Sequence, residues 1–125
     1  MGYEFHITRR KFWDDNGPAI SADEWLAYVG SDPELKIDAA HGPHCVQWNG
    51  ASKVSEPWLD WLDGEIFTEE PDRAFLDKML AIAQKLNAQV QGDEGEVYTN
   101  SSELEEPDET KPGSKKTFWS KLFGG

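Results

Sequence analysis

The chain of 125 residues has one cysteine, few basic side chains and no long apolar run. The single cysteine, Cys45, excludes an intramolecular disulfide framework and is typical of a reducing compartment. No apolar stretch approaches the ~20 residues that a membrane-spanning helix needs. The first residues also lack the basic-then-apolar order of a secretory signal. We therefore expect a cytoplasmic protein.

Positive charge is scarce in the chain. Twelve Lys and Arg stand against 24 Asp and Glu, which gives a formal charge of −12. Residues 1–99 hold 19 acidic and 8 basic side chains, so they carry −11 of that total. Such a field repels phosphate backbones and disfavours nucleic-acid binding, whereas it attracts a basic protein partner. Arg9, Arg10 and Lys11 form the one positive cluster of this segment, and we expect them to pair with nearby carboxylates.

No catalytic motif is evident. The chain has no glycine-rich phosphate loop, and the sequence around Cys45 supplies neither the helix N-terminus nor the cation that activates a thiol. Asp60, Asp63 and Glu65 surround one turn and could serve a hydrolase as acid and base, but solubility explains acidic turns equally well. We predict a non-enzymatic protein without a cofactor, and keep a small hydrolase as an alternative.

One short segment offers metal ligands, because His41, His44 and Cys45 fall within five residues. Side chains alternate along a strand, so His44 and Cys45 should point to opposite faces if Cys45 begins one. A structural zinc site also needs four ligands, and His6 is the only other histidine or cysteine. The acidic turn GDEGE lacks the alternating oxygen ligands of an EF-hand calcium loop. We predict no metal site, with zinc or copper at the HGPHC segment as the alternative.

The secondary structure is indicated by alternation, helical periodicity and turn residues. Residues 3–8 alternate apolar and polar side chains, as in a half-buried strand. The sequence SADE at residues 21–24 is a capping box for a helix that ends near Gly30. Pro71-Asp72 favours the start of a second helix, and Asn87 its end. Asp63-Gly64 predicts a tight hairpin turn, GDEG a second one, and further strands are predicted at residues 35–37, 45–48, 89–91 and 96–99.

This order of elements predicts an α+β fold, with a small antiparallel or mixed sheet and two helices packed on one of its faces. The predicted domain covers residues 1–99. Residues 100–125 lose the apolar periodicity and are rich in Ser, Glu, Pro and Lys. We therefore predict a disordered tail that is acidic at first and basic and aromatic at its end.

Tryptophan is in surplus, since six are more than one small core needs. Two or three should fill the core. Trp48, Trp58 and Trp61 fall on neighbouring predicted strands and could form a partner-binding patch, because aromatic residues are enriched at binding hot spots. Burial of all three in the core is equally compatible with the sequence.

The end of the tail, GSKKTFWSKLFGG, is apolar and basic. Phe118, Trp119, Leu122 and Phe123 share one helical face among lysines. We expect this face to dock on a protein partner, with anionic lipid or the acidic domain itself as alternatives. The final Gly-Gly also occurs in ubiquitin-like sulfur carriers, but those folds begin with a hairpin before their helix.

The segments YEFHITRR, SDPEL and VQGDEGEVY together resemble a set of small bacterial proteins that share these motifs. Members of that set often end in a short tail rich in Trp, Phe and Lys. The resemblance covers residues 1–99 well and the tail loosely. It implies a bacterial, cytoplasmic origin, and it implies no activity and no site residues.

The sequence as a whole predicts a monomeric, non-enzymatic interaction module for a basic protein. An acidic inhibitor of the immunity type is one concrete form of this prediction. Its expected binding residues are the three tryptophans of the predicted patch and the four apolar residues of the tail.

Overall fold

The computed structural model describes residues 3–50, 52 and 57–104. The elements are, in chain order, β1 (Glu4–Thr8), α1 (Ala22–Ser31), β2 (Leu35–Ile37), β3 (Val46–Trp48), β4 (Trp58–Leu62), β5 (Glu65–Glu69), α2 (Arg73–Lys85), β6 (Gln89–Gly92), β7 (Val97–Tyr98) and a 3-10 helix (Ser101–Glu103). Over these ranges the seven strands form one antiparallel sheet in the order β2-β3-β4-β5-β1-β6-β7. The predicted α+β fold is confirmed.

Both helices pack on the same face of the sheet. Trp25 of α1 and Phe75 of α2 belong to one buried core with Ile7 and Val90 of the sheet. Ile7 faces Val90 in the register of β1 with β6, so these two side chains share the face that the helices cover. Within the described ranges, no helix is long and apolar enough to cross a membrane.

The ends of the helices follow the predicted capping residues. Ser21 Oγ accepts a hydrogen bond from the Glu24 amide, and the Ser21 amide donates to Glu24 Oε1, each over 3.0 Å. The side chain of Asp72 accepts from the Phe75 amide at the start of α2, over 2.9 Å. Asn87 has a φ of 53°, the left-handed conformation expected after a helix. Local sequence therefore determines where both helices begin and where α2 ends.

Ion pairs connect the SDPEL segment, at the end of α1, with α2. Lys78 Nζ lies 2.7 Å from Asp32 Oδ2 and 2.9 Å from Glu34 Oε1. Tyr28 donates its hydroxyl hydrogen to the same Asp32 oxygen over 2.6 Å. Burial acts to raise the pKa of Asp32, but the hydrogen bonds from Lys78 and Tyr28 lower it by more. The pKa of this carboxyl group therefore lies below its usual value.

The sheet face opposite the helices is partly covered by residues 9–20, which we call the strap. His6 lies between two core residues of β1 and therefore points to this opposite face, which we call the open face. Trp13 of the strap stacks on the His6 ring, with centroids 3.8 Å apart and planes 7° from parallel. The side-chain amide of Gln91 holds the strap. Its oxygen accepts a hydrogen bond from the backbone amide of Trp13, and its nitrogen donates to the carbonyl oxygens of Arg10 and Lys11.

The strap is also attached to the turn between β4 and β5. Arg10 Nη2 donates to the Asp63 carbonyl oxygen, and the Ile20 amide donates to that of Gly64, each over 2.8 Å. Gly64 has a φ of +93°, and a Cβ there would lie 2.5 Å from Arg10 Nη2, so this turn requires glycine. Arg9 pairs with Glu24 at 2.7 Å, as expected, whereas the guanidinium of Arg10 donates to carbonyl oxygens instead of a carboxylate.

The packed chain continues past residue 99. Asn100 caps the 3-10 helix, and Glu103 reaches back to the Asn100 amide over 3.0 Å. Arg73 Nε donates to the Leu104 carbonyl oxygen, and the Leu104 side chain packs against the core. The prediction of disorder is therefore wrong for residues 100–104, because the hydrogen bond from Arg73 joins this segment to α2 and the Leu104 side chain packs on the core. Residues 105–125, with the predicted docking residues Phe118, Trp119, Leu122 and Phe123, lie outside the described residues.

Candidate functional site

The open face carries a pocket of about 400 Å³ beside the part that the strap covers. Residues from β3, β4, β5 and the loop between β2 and β3 line it. We call it the open-face pocket, and its lining residues are Asp38, His41, Cys45, Gln47, Trp58, Asp60 and Phe67. Strand register brings them together, since Gln47 lies opposite Trp58 and Asp60 lies opposite Phe67.

Two carboxylates are held at fixed positions in this pocket. Asp38 Oδ2 forms hydrogen bonds with His41 Nδ1 over 2.7 Å and with Gln47 Nε2 over 2.9 Å. Asp60 Oδ1 accepts from the Trp61 amide over 2.8 Å. The His41 side chain is 69% exposed, so Asp38 orients an imidazole that solvent still reaches. These contacts leave each carboxylate with acceptor capacity for a ligand.

Two aromatic rings form the apolar wall of the pocket. Trp58 and Phe67 meet edge to face, with centroids 5.5 Å apart and planes at 86°. Both rings are partly exposed. Among the described residues, the lining contains no Lys or Arg. The pocket therefore combines two carboxylates with two aromatic rings, and His41 is the one basic side chain among its described lining residues.

Cys45 also lines this pocket, and its thiol is buried and protonated. The residue as a whole is 6% exposed. Burial, followed by the charges of Asp60 and Asp38, raises the pKa of the Cys45 thiol to about 11. A thiolate is the nucleophilic form, so this cysteine is poorly nucleophilic at neutral pH.

The HGPHC segment does not bring its three potential ligands together. His44 packs its ring edge-on against Trp61, with centroids 5.0 Å apart, and its carbonyl oxygen accepts from the Trp25 indole. Cys45, the next residue, lines the open-face pocket instead. The expected alternation between neighbouring residues thus separates His44 from the pair formed by His41 and Cys45.

The three tryptophans predicted as one binding patch occupy two faces of the sheet. Trp48 is buried in the core, where its ring stacks on Phe75 at 5.3 Å. Trp61 lies opposite Ile66 on the face that the helices cover, and its indole donates to the Ile20 carbonyl oxygen. Trp58 alone lines the open-face pocket. The shared patch does not form, because residues three apart on a strand point in opposite directions.

The acidic group proposed for a hydrolase is also divided. Asp60 lies in the open-face pocket, and Asp63 occupies the hairpin turn with a φ of 54°. Glu65 points away from the pocket residues towards His6, with its Oε1 2.9 Å from His6 Nδ1. These three carboxylates therefore do not meet in a single site where two of them could act as general acid and general base.

A second cluster of titratable groups lies under the strap. His6 is 1% exposed, and Glu4, Glu65 and Asp93 surround its ring; we call these four residues the His6 cluster. Burial acts to lower the pKa of His6, but contacts with Glu65 and Asp93 raise it by more, so the pKa lies above its usual value.

Sequence reasoning missed the His6 cluster. Its only local signals were a histidine at a polar position of β1 and the acidic GDEGE turn. Register supplies the rest, because β1 pairs with β6 so that His6 lies opposite Gln91, two residues before Asp93.

Comparison of the chain with protein-family models, with curated proteins and with solved structures gives no match. The open-face pocket and the His6 cluster are therefore the features from which a function can be argued. The pocket is the more accessible of the two.

Proposed function

We propose that this chain is a protein-binding module that holds a lysine or arginine side chain of a basic partner in the open-face pocket. The observation that carries the proposal is the pairing of Asp38 and Asp60 with the rings of Trp58 and Phe67 in one pocket. Aromatic faces and carboxylates both attract a cation, and together they match an ammonium or guanidinium group with an alkyl stem.

The charge of the chain supports the same class of partner. Residues 1–99 carry a net charge of −11, which accelerates encounter with a positively charged protein. An acidic inhibitor that blocks a basic enzyme is one form that such a module takes. In this proposal the apolar tail supplies a second contact with the partner.

The chemistry of the pocket favours binding over catalysis. Cys45 is a nucleophilic residue type there, and a pKa of about 11 keeps it protonated. His41 is oriented by Asp38, but neither a serine nor a threonine lines the pocket among the described residues. An oriented imidazole without an activated nucleophile suits recognition better than acyl transfer.

A basic peptide tests the proposal directly. The full chain is titrated with a fluorescent peptide of alternating Arg and Gly, and with a matched Gln and Gly peptide, in buffer that contains EDTA. We expect binding of the Arg peptide that weakens as salt rises, with the Trp58 indole signal shifting in NMR spectra. Trp58→Ala and Asp60→Asn should each weaken binding about tenfold, which corresponds to about 1.4 kcal/mol.

Asp77→Asn is the matched control for charge. Asp77 is exposed on α2, so this variant removes the same charge from the opposite side of the sheet. We expect its affinity to stay within about twofold of the parent chain, because long-range charge is screened by salt. Equal losses in Asp60→Asn and Asp77→Asn would show that the peptide responds to net charge alone, and the pocket proposal would then be wrong.

A further inference from the structure

The His6 cluster suggests a second site that is independent of the open-face pocket. His6 Nε2 lies 3.3 Å from Asp93 Oδ1 and 3.8 Å from Glu4 Oε1. One ligand atom from each of these three residues lies within 4.8 Å of the others. Asp93 comes from the turn after β6 and the other two from β1, so the fold itself assembles the group.

The two nitrogens of His6 have different surroundings. Nδ1 lies 2.9 Å from Glu65 Oε1, while Nε2 faces Glu4 and Asp93. Nε2 pairs with Asp93 Oδ1 through a hydrogen, and loss of that hydrogen would free the Nε2 lone pair to coordinate an ion between the two acids. Histidines that bind metal commonly have this arrangement, with a carboxylate behind the ring that fixes its orientation.

Charge and hydrogen bonding in the cluster are both incomplete. Three carboxylates surround one imidazole, and no Lys or Arg of the described chain forms an ion pair with them. The short contact between His6 Nδ1 and Glu65 Oε1 is not aligned as a hydrogen bond, and neither atom has another partner among the described residues. These buried, unsatisfied atoms lie on the Nδ1 side of the ring and call for a water or another polar partner there, while Nε2 on the other side faces Glu4 and Asp93.

We propose that Glu4, His6 and Asp93 bind a divalent transition-metal ion, with Zn²⁺ as the representative. An imidazole with two carboxylates suits zinc, manganese or iron better than calcium or magnesium. Zinc bonds of about 2.0–2.2 Å place neighbouring ligand atoms a little over 3 Å apart. The 3.3 and 3.8 Å separations are close to that size, and the partly exposed side chains of Glu4 and Asp93 can close the remainder.

The position under the strap gives this site a protected histidine and an accessible rim. His6 is covered by Trp13, whereas the side chains of Glu4 and Asp93 are 37% and 38% exposed. An ion can therefore reach the carboxylates from solvent, and three protein ligands leave a position for water or for a group of a partner.

Protons compete with the ion for His6. The ring must be neutral at Nε2 to coordinate a metal, so binding releases a proton and weakens as the pH falls.

Zinc binding by the full chain tests the proposal. ZnCl₂ is titrated into the chain at about pH 7.5 and about pH 6, and the ring signals of His6 and the indole signal of Trp13 are followed by NMR. We expect both signals to shift on binding, with weaker affinity at the lower pH. Asp93→Asn should weaken the effect by about tenfold or more, because it replaces a charged carboxylate ligand with a neutral amide while leaving the buried ring in place.

Glu94→Gln is the matched control, because Glu94 is the exposed acidic neighbour of Asp93 in the same turn. Its affinity should stay within about twofold of the parent chain. His41→Ala removes the exposed histidine of the open-face pocket and should leave the His6 response unchanged.

Three results would each overturn the proposal: no shift of the His6 signals up to about 1 mM zinc, equal losses in Asp93→Asn and Glu94→Gln, or loss of the His6 response in His41→Ala. The peptide experiment uses EDTA, so its outcome is independent of this one.

Discussion

The two halves of the open face use the same residue types in opposite ways. The half under the strap contains His6, Trp13, Gln91 and Asp93, and the open-face pocket contains His41, Trp58, Gln47 and Asp60. In the first half the histidine is 1% exposed, whereas the His41 side chain is 69% exposed. The difference comes from the strap, which covers one half and not the other.

The covered half shows what the other half lacks. Under the strap a buried imidazole lies between an indole and carboxylates, whereas the imidazole that pairs with Asp38 in the pocket is exposed to solvent. In the open-face pocket the described residues supply the indole and the acids without an internal lysine or arginine. Coverage by the neighbouring chain, more than composition, therefore decides which of the two halves a large side chain of a partner can enter.

The largest expected contrast is between the two tryptophans. Trp13→Ala removes the ring that covers His6 and the indole hydrogen bond to the Asp93 carbonyl oxygen. We expect it to lower the free energy of unfolding by about 2–4 kcal/mol, somewhat less than a fully buried tryptophan costs. Trp58→Ala should cost about 1 kcal/mol or less, because its ring borders a pocket that is open to water.

Urea denaturation of the parent chain and the two variants measures this contrast. Similar losses in both variants would mean that the strap contributes little to stability, and the division of the open face into two unlike halves would be wrong. A greater loss in Trp58→Ala would reverse the comparison.

A smaller contrast is expected between the two glutamines. Gln91 is fully buried and bonds three backbone groups of the strap. Gln91→Ala leaves the Trp13 amide and the Lys11 carbonyl oxygen without this partner, while Gln89 Nε2 still donates to the Arg10 carbonyl oxygen. We expect a loss of about 2–3 kcal/mol in unfolding free energy. Gln47→Ala removes one hydrogen bond to Asp38 at a partly exposed position and should cost about 1 kcal/mol or less.

Hydrogen exchange adds a local measurement to this pair. Gln91→Ala should accelerate exchange of the Trp13 amide, since that amide donates to the Gln91 side chain. Unchanged protection of Trp13 in this variant would show that Gln91 does not hold the strap.

The sequence was sufficient to predict the helix caps and the hairpin turn. It was insufficient to predict how residues are arranged on the open face. Caps at Ser21 and Asp72 and the Asp63-Gly64 turn are local signals, and the structure has all three. The path of the strap depends on contacts between residues far apart in sequence, such as the Trp13 amide with Gln91. Local propensity carries no information on such contacts.

The tryptophans show where pattern reasoning stopped. Alternation alone separates Trp58 from Trp61, but it does not say which of the two faces the helices. The pairing of Trp61 with Ile66 answers that question, and it requires the register of β4 with β5. The cluster around His6 was missed for the same reason, because Asp93 reaches it through the pairing of β1 with β6.

The pH dependence of stability should report on the covered half. The groups that face His6 are Glu65 from β5, Asp93 from the turn after β6 and Glu4 from its own strand. Their contacts raise its pKa in the folded state, so the stabilisation is complete below the unfolded pKa of about 6.5 and is lost as pH rises through the folded value. In EDTA, we expect a lower free energy of unfolding at pH 8 than at pH 6.

The matched variant for this experiment is Asp93→Asn. It should lower the His6 pKa measured from its NMR ring signals and reduce the difference in stability between the two pH values. Asp60→Asn, in the other half, should leave both quantities unchanged. A His6 titration at or below the pKa of an unperturbed histidine would contradict the prediction.

The smallest expected effect concerns the thiol of the open half. Burial is the first cause of the raised pKa of Cys45, and the charges of Asp60 and Asp38 add to it. Asp60→Asn removes one of these charges while the burial remains, so we expect alkylation by iodoacetamide at about pH 8 to accelerate by about two- to threefold. Asp93→Asn should leave the rate unchanged, because Asp93 belongs to the covered half. Since Cys45 is the only cysteine, the rate measures the field inside the open-face pocket alone. Equal acceleration by both variants would mean that the two halves are not electrostatically separate, and the comparison between them would fail at this point.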